Sequence, residues 1–403
     1  MTPTSAQSVA ILGGGPAGLT AAFRLAHLGY RVTIVDRRPP SERALMGEDH
    51  QNGPEPFTIL GCHHATQSLL HSLHSNPPQP ADIAIPLEFR LPDGSLVHYP
   101  RTSFPAPLHT WANLLRFAGI PWKERWLLAS WMEQVWEGDA QLPADLEQRI
   151  ADEWLASIGQ REQTRRVVWN PLAQWLTGND LSTMSADAFV LSIKPLFLST
   201  RPDSRISVVQ DSLQACFVQP ITEGLTQVGA TILRNTEAVQ LRYEQDRISG
   251  VLLRDGSLLQ ADWYVAALPQ PHLTPLLPER WLTRYAYFQH IAELRSIDST
   301  ILHVDVEQPC ATPRLVLLSD TYFHSVLVTA TTPDRTRFSL VTTDSQFAQV
   351  RPDLPLDVAI PDLLRSWGLL TPERRVVSTH HRTISNAILS LRPGTKLHRP
   401  IQR

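Results

Sequence analysis

The stretch VAILGGGPAGLT, Val9 to Thr20, decides how the rest of the chain is read. Val9 to Leu12 is a short apolar run of the kind that forms a buried parallel strand. Gly13, Gly15 and Gly18 follow at the spacing Gly-x-Gly-x-x-Gly. A helix is predicted from Leu19 to Leu28, with Leu19, Ala22, Phe23 and Ala26 on one stripe and Gly29 as its stop. Arg31 to Val35 reads as a second strand, and it ends in Asp36. Each glycine has a separate physical task. Gly13 permits the tight turn, Gly15 leaves no side chain in the way of a diphosphate, and Gly18 lets helix and strand pack closely. The free N–H groups of the helix N-terminus then face the phosphates. Asp36, 18 residues beyond Gly18, is placed to accept from ribose hydroxyls. The loop Gly13, Gly14, Gly15, Pro16, Ala17 and Gly18, together with Asp36, is the candidate dinucleotide site.

Composition narrows the class. The chain has 403 residues, 42% hydrophobic and 19% charged, which suits a folded protein of two or three domains with a large core. The net charge of −3 gives no basic face for nucleic acid. Cys62, Cys216 and Cys310 are isolated, with no Cys-x-x-Cys, as expected in a reducing compartment. The N-terminus carries no secretory pattern and no apolar run reaches the ~18 residues of a spanning helix, so a cytoplasmic protein is expected, with peripheral membrane contact compatible. His63, His64, His71 and His74 crowd one segment and His380-His381 another, but solvated or core histidines are the simpler reading than a metal site.

The choice of dinucleotide rests on the residues after Asp36. A nicotinamide enzyme normally continues with further strand–helix units. Here a polar, Pro-rich stretch comes next, and the sheet is revisited much later. Gly229 to Leu241 reads as strand, turn, strand. The next segment alternates as a meander with Asp255-Gly256 as its turn, and Trp263 to Pro269 is a buried strand leading to a breaker. A nucleotide domain broken by long insertions points to FAD.

In these segments the chain resembles the FAD-dependent phytoene desaturase and flavin amine oxidase superfamily, and within it the squalene-associated desaturases, the hydroxysqualene dehydroxylases. The matching segments are Asn52-Gly53 with Ile59 to Thr66, Phe104 to Phe117, Val167 to Phe189, and the TEAVQL and ADWYVAALP strands, in the family's order. The resemblance implies that Gly13, Gly15 and Gly18 hold the FAD diphosphate, that Asp36 holds the adenosine ribose, and that Val239 meets the adenine edge through its backbone. Arg43 matches the arginine of the family's Gly-Gly-Arg segment, although Ser41-Glu42 replace the glycines; an ordinary solvated arginine fits it equally well. The family ends in a Gly-Asp strand and a helix that close over the flavin. This sequence stops at SLRPGTKLHRPIQR, about where that strand would begin, which implies weak FAD retention.

The expected architecture is α/β: an FAD/NAD(P)-binding Rossmann-like domain (1–75 and 205–275, without the family's C-terminal segment), interrupted by a mixed-sheet substrate domain (76–105 and 276–403) and a helical cap (106–204). A hairpin is expected at Asp93-Gly94, two helices around Gly119-Ile120-Pro121, and a short helix interrupted early by Pro361. Eight of the eleven tryptophans fall between Trp111 and Trp175. Packing within the cap accounts for most of them; a lipid-facing or isoprenoid-lining role is the alternative. The activity implied by the resemblance is reductive dehydroxylation of hydroxysqualene to squalene, with no catalytic acid assignable. The alternatives are a carotenoid desaturase of phytoene type or a non-catalytic remnant. The implied partner is a hydrophobic isoprenoid.

Overall fold

The structure is a computed structural model that describes residues 7–38, 48–49, 53–54, 56–73, 82–105, 108–136, 143, 145–197, 199–245, 247–310, 312–319, 321–343 and 356–399. Arg43, Asn52 and His74 lie outside the described residues.

Strand β1 (Ser8–Leu12) leads through the glycine loop into helix α1 (Pro16–His27) and on to strand β2 (Arg31–Asp36). The helix begins three residues earlier than the apolar stripe suggested. Proline lacks the N–H that would be orphaned at the first helical position, so Pro16 starts the helix with Gly15 as its N-cap. The chain then leaves the sheet and returns twice. Thr231–Arg234 pairs parallel with β2, and Trp263–Ala266 pairs parallel with β1, giving four parallel strands. Val9, Ala10, Ile11, Val32 and Ile34 are at most 3% exposed, so the two central strands are covered on both faces. The strand Trp263–Ala266, expected to be buried, instead lies at the sheet edge with Trp263 58% exposed, because no further strand pairs beyond it among the described residues. A three-stranded antiparallel meander, Ala238–Glu244, Arg247–Leu253 and Leu258–Leu259, is inserted between the two returning strands.

A seven-stranded mixed sheet forms the second body. Its strands lie in the order 376–389, 296–306, 335–342, 325–332, 314–317, 87–90, 96–98. All neighbours are antiparallel except 314–317 and 87–90, which are parallel. The strand register divides the sheet's faces sharply. Val326, Leu340 and Leu302 sit side by side on one face, as do Val328, Phe338 and Val304; this face packs on Ile360, Leu364 and Trp367. Pro361 does not interrupt that covering helix, Leu356–Ser366, which carries it internally. Burial of Ile360, Pro361 and Leu364 outweighs the backbone bond that proline removes.

The opposite face carries polar side chains. Ser339, His303 and His380 continue a row that begins with Leu315 and Leu327. Thr329, Arg337, Asp305 and Ser378 form the next row. Leu315 and Leu327 pack against the cap, so the polar rows face the same side.

The cap comprises helices 108–116, 122–136, 151–157, 170–177 and 186–197, with a π-turn at Arg165–Trp169. Of its tryptophans, Trp154 and Trp169 are buried and Trp111, Trp131 and Trp175 pack half-buried on the cap core. Trp122 and Trp126 do not: both are about half exposed. No helix among the described residues is long and apolar enough to cross a membrane.

Candidate functional site

The glycine loop is built as three different constraints. Gly13 has φ +106°, a conformation that side chains with a β-carbon rarely adopt, and a β-carbon there would meet the carbonyl of Ala267. Gly18 lies so close to the carbonyl of Gly13 that no β-carbon fits between them. A β-carbon on Gly15, by contrast, would meet nothing within 4 Å. Gly13 and Gly18 are therefore glycines for the fold, while Gly15 borders open space. No side chain caps α1, so its first N–H groups are left to an outside acceptor. An anionic diphosphate fits that combination.

Gly14 belongs to the same constellation. A β-carbon there would overlap the carboxylate of Asp36. Asp36 accepts from the Arg38 backbone N–H (3.1 Å) and from Arg38 Nε (3.0 Å), with Arg38 Nη2 on its other oxygen. An ionised carboxylate has about four acceptor sites, so this pairing leaves capacity for a ribose hydroxyl. The Asp36 carbonyl accepts from Thr236 N–H at 3.0 Å, which ties the end of β2 to the start of the meander. Two residues on, the ladder shifts register: Ala238 pairs with Leu253 and Gln240 with Leu252, and Val239 is passed over. Val239 thus sits on a bulge, 38% exposed, with its main chain off the ladder.

A second constellation joins the segment after strand 57–60 to the cap. Gly61 abuts the Pro202 carbonyl too closely for any side chain, and Gly61 N–H donates to Arg205 O at 2.7 Å. Asp203, buried, accepts from Ser199 Oγ and Thr200 Oγ1 (both 2.6 Å) and from His64 Nε2. Burial would raise its pKa, but the hydrogen bonds from Ser199, Thr200 and His64 outweigh it and hold the carboxyl below the usual range. Burial pushes the Cys62 thiol up, so it is not an activated nucleophile. His63 and His64 are accounted for by this loop, and among the described residues no three His, Cys, Asp or Glu side chains converge on a metal position.

The polar face of the large sheet is the feature the sequence reading missed. His303 Nδ1 and Ser339 Oγ are 2.9 Å apart, and the His303 and His380 rings lie 5.0 Å centroid to centroid. Arg337 donates to both oxygens of Asp305, at 2.8 and 2.9 Å, and Ser378 Oγ donates to the same carboxylate. Arg337 is fully buried. The signal was present in TILHVDV, where His303 and Asp305 hold alternate positions of an otherwise apolar strand.

Between the cap helices lies an apolar cavity of about 50 Å³, walled by Leu114, Phe117, Ile120, Leu128, Trp131 and Val168 among others. Its two hydroxyls are engaged: Thr110 Oγ1 donates to Phe197 O at 2.9 Å, and Tyr99 is bonded to Asn113. The volume is about a third of the ~150 Å³ that admits a benzene ring.

With this geometry in place, the relationships of the chain are clear. The family profile described as flavin containing amine oxidoreductase matches residues 52–375. The chain belongs to that family. A second profile, pyridine nucleotide-disulphide oxidoreductase, matches residues 7–72, the segment holding the glycine loop. The cofactor is FAD. The chain is similar to a probable zeta-carotene desaturase of Synechococcus elongatus (25% identical over 72% of this chain and 64% of that one). It is also similar to a 15-cis-phytoene desaturase of the same organism (26% identical, 73% and 65%). It therefore spans less than two thirds of the length of these relatives. A crystal structure of an oxidoreductase from Methanosarcina mazei shares the fold, with a TM-score of 0.70 at 12% identity over 96% of this chain and 90% of that one.

Proposed function

We propose that the protein is an FAD-dependent oxidoreductase acting on a long isoprenoid. One pairing supports this: a diphosphate loop with open space at Gly15, in the same chain as a cap whose cavity has apolar walls with every hydroxyl already engaged. In this reading Gly13, Gly14, Gly15, Pro16, Ala17 and Gly18 hold the FAD diphosphate, Asp36 the ribose and Val239 the adenine edge. FAD, when bound, supplies two-electron redox chemistry. The protein's part is to orient the apolar chain and exclude water. The cavity is too small for such a chain as it stands, so a substrate that entered it would have to widen it.

Two reactions fit. Desaturation of a carotenoid precursor is favoured by the relatives at 25–26% identity. Reductive dehydroxylation of hydroxysqualene to squalene is supported by the segments Ile59 to Thr66, Phe104 to Phe117 and Val167 to Phe189, which resemble the squalene-associated desaturases. The test supplies oxidised protein with phytoene or zeta-carotene, and photoreduced protein under anaerobic conditions with hydroxysqualene, followed by extraction. A product from one arm selects the reaction. No product from flavin-loaded protein in either arm would remove the isoprenoid reading.

A further inference from the structure

We infer that the N-terminal half of helix 122–136 docks the protein on the surface of an anionic lipid bilayer. The helix has two opposed faces. Leu128, Trp131 and Met132 point inward and line the cap cavity. Trp122, Trp126 and Leu127 are 55%, 49% and 51% exposed, and Lys123 and Ser130 share that outer side. The positions 122, 123, 126, 127 and 130 form one stripe at helical spacing. The two indoles meet edge to face at 5.7 Å, and the Arg125 guanidinium lies 5.9 Å from the Trp122 ring. Two half-exposed indoles and a leucine amount to roughly 300 Å² of apolar surface, within the range of the largest patch on a typical monomer, which is often functional.

Charge identifies the occupant. Between residues 108 and 130 the only carboxylate is Glu124, and it is buried, accepting from Arg161 N–H at 2.9 Å with the Arg161 guanidinium beside it. The cations of the same segment are Arg116, Lys123 and Arg125, and Arg116 and Lys123 are exposed. Lys123 is one of only three lysines in a chain whose net charge is −3. A positive, tryptophan-bearing stripe on a negative protein complements an anionic headgroup layer, and indole suits the boundary between headgroups and acyl chains. In a two-fold dimer the stripe would face its own copy, setting Lys123 and Arg116 against like charges.

The surface is anchored rather than loose. Arg125 Nε and Nη1 donate to the carbonyls of Ile120 (2.5 Å) and Leu115 (2.6 Å), locking the turn between the two cap helices. The helix that meets lipid is thus the one whose other side walls the apolar cavity. An isoprenoid dissolved in the bilayer would reach that cavity without crossing water. This purpose rests on the proposed substrate class; the docking itself does not.

The experiment sediments the full chain with sucrose-loaded vesicles of phosphatidylcholine containing about 30% phosphatidylglycerol, and with phosphatidylcholine alone. Wild-type protein is expected to bind the anionic vesicles at least tenfold better, and to lose that binding as salt is raised. The double variant Trp122→Ser/Trp126→Ser, and separately Lys123→Glu, are expected to weaken binding at least tenfold with unchanged far-UV circular dichroism and unchanged cooperative unfolding. Brominated acyl chains should quench wild-type tryptophan fluorescence. Absence of quenching, equal sedimentation of variants and wild type, or a dimer that the double variant dissolves would each overturn the proposal. No substrate or turnover is needed, so a protein that docks yet converts no isoprenoid refutes only the substrate reading.

Discussion

The carboxylate of Asp36 rests directly on the Cα of Gly14, leaving no space for a β-carbon. The residue that ends the second strand and a residue of the diphosphate loop are thus one steric unit. Gly14→Ala is expected to displace Asp36 and with it the ribose contact. FAD content after purification should fall at least tenfold, about 1.4 kcal/mol of binding. Asp36→Ala should give a similar loss without the steric cause. Flavin absorbance per polypeptide measures both.

The other glycines separate fold from ligand. Gly15 borders open space, so Gly15→Ala should leave the melting temperature of flavin-free protein unchanged while abolishing FAD retention. Gly18 faces the Gly13 carbonyl, and its β-carbon has nowhere to go; Gly18→Ala should cost about 1–3 kcal/mol of stability even without flavin. Calorimetry of stripped protein distinguishes the two. Equal loss of stability in both variants would show that Gly15, like Gly18, is a glycine required by the fold.

The loop was legible in the sequence because its demands are local. A turn with φ above zero, a helix start and a strand end are written in adjacent residues, from Gly13 to Asp36. The return of 231–234 and 263–266 to the same sheet was legible through alternation and the break at Pro269. The polar face of the large sheet was not. His303, Ser339 and His380 come from strands up to 77 residues apart in sequence, and only strand register sets them side by side. The exposure of Trp122 and Trp126 was hidden for the same reason: helical spacing defines a stripe, while packing decides which stripe is outside.

His324 offers a pH test of the large sheet's core. It is buried, its two ring nitrogens have no partner among the described residues, and burial lowers its pKa to about 3 from 6.5. Between pH 6.5 and 3 the unfolded chain binds this proton and the folded one does not. Stability therefore falls as pH drops through that window, by about 2 kcal/mol at pH 5 from this group alone. His324→Phe should flatten the difference: urea unfolding at pH 7 and pH 5 would show a smaller acid loss in the variant. An identical pH dependence would mean that His324 is hydrated in the folded state.

Arg337 and Asp305 should behave as a buried pair. Arg337→Met strands the Asp305 carboxylate and is expected to cost about 3–5 kcal/mol. The double variant Arg337→Met/Asp305→Leu should recover much of that loss, because desolvating the pair roughly cancels its attraction. Denaturant unfolding of the two singles and the double closes the cycle. Additive losses would show that the residues do not interact as their 2.8 and 2.9 Å contacts indicate.

The neighbouring row tests which substrate the sheet faces. Ser339 holds His303 at 2.9 Å, and neither has an apolar duty on this face. If the row bonds a substrate hydroxyl, His303→Phe should weaken binding of hydroxysqualene at least tenfold and leave binding of squalene within about twofold, since a hydrogen bond in a buried site is worth about 1–3 kcal/mol. Perturbation of the flavin spectrum on titration reports both affinities without turnover. A matched loss for the alcohol and the hydrocarbon would make His303 a packing residue and move the balance toward desaturation. Unchanged affinity for both would place the substrate away from this face of the sheet.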